Sequence, residues 1–183
     1  MFSAPSGSGK TTLVRYLLQL FPSFRFSVSY TSRPLRGKEI DGVDYHFVKA
    51  DEFRELIQKD FFVEWEEVYP DHFYGTPRQA VLDCMESNTV LLLDLDVRGG
   101  LAFKKQFPSQ TLSVFVGVSG LDVLEERLRK RGTESDSKIQ SRLAKAASEI
   151  QSASEFDILL INDIFEKTTE ELLQIMANYG YRP

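Results

Sequence analysis

The chain has 183 residues, 42% of them hydrophobic and 27% charged, the profile of one ordinary globular domain with a sizeable core. Its net charge of −5 argues against a long nucleic acid as partner, because polymer binding needs a basic face; a small anion held by a local group of arginines is still allowed. No apolar run approaches the roughly 18 residues of a membrane-crossing helix, so no membrane partner is expected.

The chain opens on "FSAPSGSGKTT", Phe2 to Thr12. The run fits the phosphate-loop pattern G-x-x-x-x-G-K-[ST] except that Ala4 stands at its first position, ahead of the part that wraps an anion. Glycines at 7 and 9 let backbone N–H groups turn inward, and the helix that begins at Lys10 adds its partial positive charge. Lys10 would reach the β- and γ-phosphates, and the Thr11 hydroxyl would ligate Mg²⁺. The bland alternative is a surface turn that happens to contain Gly-Lys-Thr. Only three residues precede the loop, too few for the strand that normally feeds it.

The predicted elements then alternate. A helix over Lys10–Phe21 is followed by a strand over Arg25–Tyr30. Residues 31 to about 75 break the rhythm, with "DYHFV" and "FFVEWEEVY" as short strands around a helix at Asp51–Lys59, read as an inserted α+β lobe. Cys84, the only cysteine, excludes an internal disulfide and reads as an apolar filler on a helix. Strands at Thr89–Asp96, Thr111–Val118 and Asp157–Asn162 are nearly continuous Val, Leu, Ile and Phe, as parallel strands covered on both faces should be. Helices are expected at Arg98–Phe107, Leu121–Arg131, Ser135–Ser154 and Glu166–Tyr179. The polar, basic stretch Arg127–Lys138 suits a flap. This alternation predicts an α/β fold with a parallel central sheet. With no secretory signal in the N-terminal residues, a cytoplasmic protein is expected.

Two stretches of the inserted lobe carry candidate chemistry. "SYTSRPLRGKEIDGVDYHF" holds Ser29, Arg33, Arg36 and Tyr45, and Pro34 and Gly37 keep the two arginines off a regular helix face. Both could fork onto one phosphate monoester; by itself the segment reads first as a solvated basic loop. "VEWEEVYPDHFYGTP" holds Glu64, Tyr74, Gly75 and Thr76. Alternation puts Val63 and Trp65 on one face and Glu64 on the other. A carboxylate aimed into a cleft would accept from N1–H and N2–H of guanine and reject adenine; the alternative is a surface salt bridge. Asp94 sits at a strand's C-terminal end, where ligands bind in open α/β sheets, and would equally serve as a loop cap. Trp65 reads as core and His72 as a solvated loop residue.

Taken in order, "SAPSGSGKTTL", "FSVSYTSRPLRGKEIDGVDYHFV", "FVEWEEV", "FYGTP", "LLLDLDVRGG", "RLRKRGTES", "RLAKAASEI" and "ILLINDI" closely resemble guanylate kinases over nearly the whole chain. The resemblance implies a P-loop three-layer core at 1–30, 77–126 and 155–183, a GMP-binding lobe at about 31–76 and a helical lid at about 127–154. It implies transfer of a phosphoryl group from ATP to GMP with Mg²⁺. Residues Ser6, Gly7, Ser8, Gly9, Lys10, Thr11 and Thr12 would hold ATP, with Arg131 and Asn162 nearby. Ser29, Arg33, Arg36, Tyr45 and Tyr74 would hold the GMP phosphate; Glu64, Gly75, Thr76, Asp94 and Asp96 would surround the base. Arg127, Arg131 and Arg142 would close over the transferring group. Arg98 departs from the family's usual glutamine, and Ile164 from a common second aspartate. Two rival readings are a non-catalytic interaction module of the same fold and a small P-loop kinase with another acceptor.

Overall fold

The computed structural model describes residues 1–132 and 135–183, with the side chain of Arg131 outside the description. In chain order the elements are β1 (Phe2–Ser3), α1 (Lys10–Leu20), β2 (Arg25–Phe26), β3 (Tyr30–Thr31), β4 (His46–Phe47), α2 (Ala50–Gln58), β5 (Phe62–Tyr69), β6 (His72–Pro77) and α3 (Arg78–Glu86). There follow β7 (Leu91–Leu92), β8 (Asp94–Leu95), α4 (Val97–Gln106), β9 (Val114–Gly117), α5 (Leu121–Arg131), α6 (Asp136–Gln151), a 3₁₀ turn, β10 (Ile158–Ile161) and α7 (Phe165–Asn178).

The central sheet runs β10-β9-β1-β8, all parallel. The segment that carries β8 also carries β7, which pairs in parallel with β2 and extends the layer. Period-two side chains send Val114 and Val116 to one face and Phe115 to the other. On the first face they meet Leu13, Val14 and Leu17 of α1 and Leu172 and Ile175 of α7. On the second, Phe115 meets Leu93, Leu95 and Phe103 of α4. Helices on both faces of a parallel sheet make the three layers expected of a P-loop fold. Although β1 is only two residues long, it lies between β8 and β9, so the loop after it emerges at the middle of the sheet.

A second sheet, β4-β3-β6-β5, is mixed: β3 and β4 are parallel, the other pairs antiparallel. It closes on α2 through a stack of Phe53, Phe62 and Phe73. Helices α5 and α6 pack together through Leu124, Leu128, Ile139 and Leu143.

Several expectations change. Helix α3 was expected only through Cys84, read as a filler on a helix of no stated bounds; Pro77 precedes its first turn, and Val81 and Cys84, three apart, bury one stripe. The strand at 157–162 is an edge rather than doubly covered, leaving Leu159 53% exposed. A register shift between Phe62 and Glu64 breaks the expected alternation. Val63 is therefore buried and Trp65 exposed, so Trp65 is not core. His72 begins β6 and is not a loop residue. The flap at Arg127–Lys138 instead overlaps the two helices expected there, with α5 running to Arg131 and α6 starting at Asp136.

Candidate active site

The loop between β1 and α1 turns at Gly9, whose φ of +89 favours glycine. A side chain there is excluded for a second reason: a Cβ would collide with Asn162 Nδ2. That amide donates to Ser8 O at 2.6 Å, so the residue after β10 fixes the loop from behind. Arg127 donates to Ser8 O at 3.3 Å and to Asp163 O at 3.1 Å. Arg142 of α6 donates to Ser6 Oγ at 2.6 Å. Lys10 pairs with Asp94 Oδ1 at 2.5 Å and donates to Leu95 O. Thr11 Oγ1 donates to Asp94 Oδ2 at 2.8 Å. Asp94 is thus both the partner of the loop lysine and the cap on its threonine.

Opposite the loop stands a wall from the second sheet. Arg33 is 4% exposed. Its Nε donates to Tyr74 OH at 3.1 Å, and its two Nη groups grip Glu39 at 2.6 Å each. Its guanidinium lies over the Tyr45 ring at 4.9 Å. Glu39 also accepts from Arg36 N at 2.8 Å. Burial would weaken the Arg33 charge, but the bonds to Glu39 outweigh it and raise the guanidinium's pKa. Burial likewise opposes the Glu39 charge, and Arg33 overrides it, holding the carboxyl below the usual range. Tyr45 is pushed up by burial and then by the Asp94 charge, so it is a neutral phenol at working pH.

At one end of the cleft Glu64, 7% exposed, accepts from Thr76 Oγ1 at 2.6 Å. Burial lifts its carboxyl to about 7, the Thr76 bond opposing and the Asp96 charge assisting. Asp96 caps α4, its Oδ1 accepting from Gly99 N at 2.7 Å. Ser3 Oγ donates to Asp96 O at 3.1 Å, linking β1 to that cap. A Cβ on Gly99 would lie 2.5 Å from Glu64 Oε2, so glycine there lets the carboxylate sit against the helix end.

One cleft of about 240 Å³ is lined by the loop from Ser6 through Thr12 together with Ser29, Arg33, Arg36, Tyr45, Glu64, Tyr74, Asp94, Asp96 and Arg142. Four other expected residues stand outside that lining. Thr76, Asn162 and Arg127 act from behind it through the bonds above. Gly75 is in the second sheet, where a Cβ would meet Phe62 at 2.8 Å. The Arg131 side chain, also expected here, lies outside the described residues. Sequence reasoning missed Glu39, six residues beyond the arginine it grips. It also missed Glu66, Tyr69, Lys145 and Glu149, which line the same cleft. The only signal for Lys145 was its i,i+4 spacing to Glu149.

A glycine-cradled helix start at the centre of a parallel sheet, facing an arginine–tyrosine wall, defines a P-loop nucleotide kinase. A family model described as "Guanylate kinase" matches residues 1–179. The guanylate kinase of Chlorobium luteolum is 44% identical over 179 residues, covering 98% of this chain and 90% of the relative. That of Nitratidesulfovibrio vulgaris is 46% identical over 169 residues, covering 92% and 81%. The crystal structure of guanylate kinase from Anaplasma phagocytophilum superposes with a TM-score of 0.81 at 27% identity, covering 100% of this chain and 86% of that one. The chain belongs to the guanylate kinase family.

Proposed function

We propose that the cleft transfers the γ-phosphoryl group of ATP to the phosphate of GMP, giving ADP and GDP. The observation that carries this reading is the buried Glu64–Thr76 pair at one end of the cleft that holds the phosphate loop. The ionised carboxylate accepts from guanine N1–H and N2–H, and adenine offers neither donor there. A neutral Glu64 cannot take both, so GMP binding draws the carboxyl into its charged form.

Both substrates are polyanions, so the work is positioning and charge stabilisation rather than covalent chemistry. The loop N–H groups and Lys10 hold the donor's phosphates. Arg36, Tyr45 and Tyr74 receive the acceptor phosphate, and Arg33 joins them by exchanging one Glu39 oxygen for a phosphate oxygen. Arg142 and Arg127 lie at the loop's edge, beside the path of transfer. We assign the second sheet with α2 to a GMP lobe and α5–α6 to a lid, which together exclude water, the competing nucleophile.

The Thr11 hydroxyl and the Asp94 carboxylate are hard oxygen donors of the kind Mg²⁺ takes. Among the described residues no three His, Cys, Asp or Glu side chains form a metal cage; Mg²⁺ is typically held by one or two protein oxygens plus phosphates and water. When bound, Mg²⁺ neutralises charge on the phosphates. Thr11 would reach it directly and Asp94 through the hydroxyl it already orients.

The test is a panel of GMP, AMP, CMP and UMP with ATP and Mg²⁺, read by nucleoside diphosphate formed. GDP should form at least about a hundredfold faster than any other product, the scale of discrimination set by a polar reader. Equal rates for GMP and AMP would overturn the assignment of Glu64.

A further inference from the structure

Lys145 of α6 touches all three parts of the molecule. Its Nζ is 3.8 Å from Asp96 Oδ2 at the cap of α4 and 3.4 Å from Glu149 Oε1 on its own helix. It lies 5.4 Å from the centre of the Tyr69 ring at the end of β5. Asp96 belongs to the core, Tyr69 to the lobe and Lys145 to the lid.

The Asp96 carboxylate is half satisfied. Oδ1 accepts from Gly99 N, but Oδ2 is buried with no hydrogen-bond partner. Such an orphan oxygen is costly, and a charge-assisted bond is the strongest remedy. The nearby ammonium stands about 1 Å beyond bonding distance. The pair is thus aligned but open, and a small advance of α6 over the cleft would close it. Its setting is acidic: Glu64, Glu66, Asp96 and Glu149 line this end of the cleft, and Lys145 is the lysine among them.

We infer that Lys145 is a positioning residue that locks the lid onto Asp96 only when the base site and the ATP site are both filled, coupling ATP-side closure to an occupied base site. The inference rests on the GMP reading above. A bound base shields Asp96 from water and makes the ammonium its best available partner. The lock also cancels one of the negative charges crowding Glu64, favouring the ionised form that accepts guanine.

The experiment is equilibrium dialysis of GMP with and without a non-hydrolysable ATP analogue and Mg²⁺, beside GDP formation, for the wild type, Lys145→Met and Lys145→Arg. Lys145→Met keeps the stem and removes the charge. In the wild type the analogue should tighten GMP, as any closure shared by two ligands must. In Lys145→Met that gain should fall by about tenfold, with GMP affinity in the absence of the analogue changed less than about threefold; Lys145→Arg should restore it. An unchanged gain in Lys145→Met, or a loss that Lys145→Arg does not rescue, would overturn the inference. The two readings fail separately: a wild type that prefers no base over another overturns the GMP reading, whereas intact guanine preference with an unaffected gain overturns only the role of Lys145.

Discussion

Glu64 stands where stability and recognition oppose each other. Its carboxyl is raised from 4.5 to about 7, mainly by burial. A carboxyl raised on folding favours the folded state fully below its unfolded value, and that advantage is lost as pH climbs through about 7. The shift corresponds to about 3 kcal/mol. Glu64→Gln keeps the volume and an acceptor for Thr76 but removes the charge. The variant should be more stable than wild type by up to about 3 kcal/mol at about pH 8, with little gain at about pH 5, measured by urea unfolding. Its kcat/KM for GMP should fall at least about a hundredfold, because the amide keeps one acceptor oxygen, already used by Thr76, and turns an NH₂ donor toward the guanine N–H groups. Equal stability differences at the two pH values would show that the carboxyl is not held in a desolvated site. The residue's direction toward the cleft was legible in the sequence, although the simple alternation behind that reading fails at the register shift beside it.

Among the elements, the N-terminus of α4 does more than begin a helix. It gathers Asp96 as its cap, Glu64 from β5 against Gly99, and Ser3 from β1. The positive end of the helix dipole suits two carboxylates that would otherwise repel. Gly99→Ala should raise the KM for GMP at least about tenfold, because a Cβ 2.5 Å from Glu64 Oε2 moves that carboxylate off the guanine edge. Melting temperature should change little, since alanine improves helix propensity by up to about 1 kcal/mol and offsets the crowding. An unaltered KM with normal folding would show that Glu64 tolerates displacement. The "DVRGG" step was visible in the sequence, but the contact of its glycine with a residue 35 positions earlier was not. Long apolar or amphipathic runs made β9, α5 and α7 readable to within a few residues, because period and length agree there. Helix α3 could be given no bounds because its buried stripe is only Val81 and Cys84. Arg98 of α4 is an exposed partner of Glu66 of β5 at 3.2 Å, a contact between elements that no local pattern announces.

On the scale of the whole molecule, the phosphate loop was the most legible feature, and its support the least. Gly7 to Thr11 are consecutive, so their chemistry can be read from one short string. Glu39 gripping Arg33 and Lys145 facing Asp96 depend on how loops and helices return in space. The extreme case is Gly9 and Asn162. The amide that seats against the loop's backbone arrives 154 residues after Ser8, the residue it bonds. A ribosome delivers the chain from the other end, so the complete glycine-rich string is exposed long before the wedge that shapes it. Chains stalled with Asn162 still inside the ribosome should not retain ATP on a filter, whereas chains extended by a linker that frees residue 183 should. Retention by the shorter chains would mean the loop shapes itself. On the expected outcome, translation times nucleotide binding: the phosphate loop becomes competent only after β10 and the asparagine that follows it have been made.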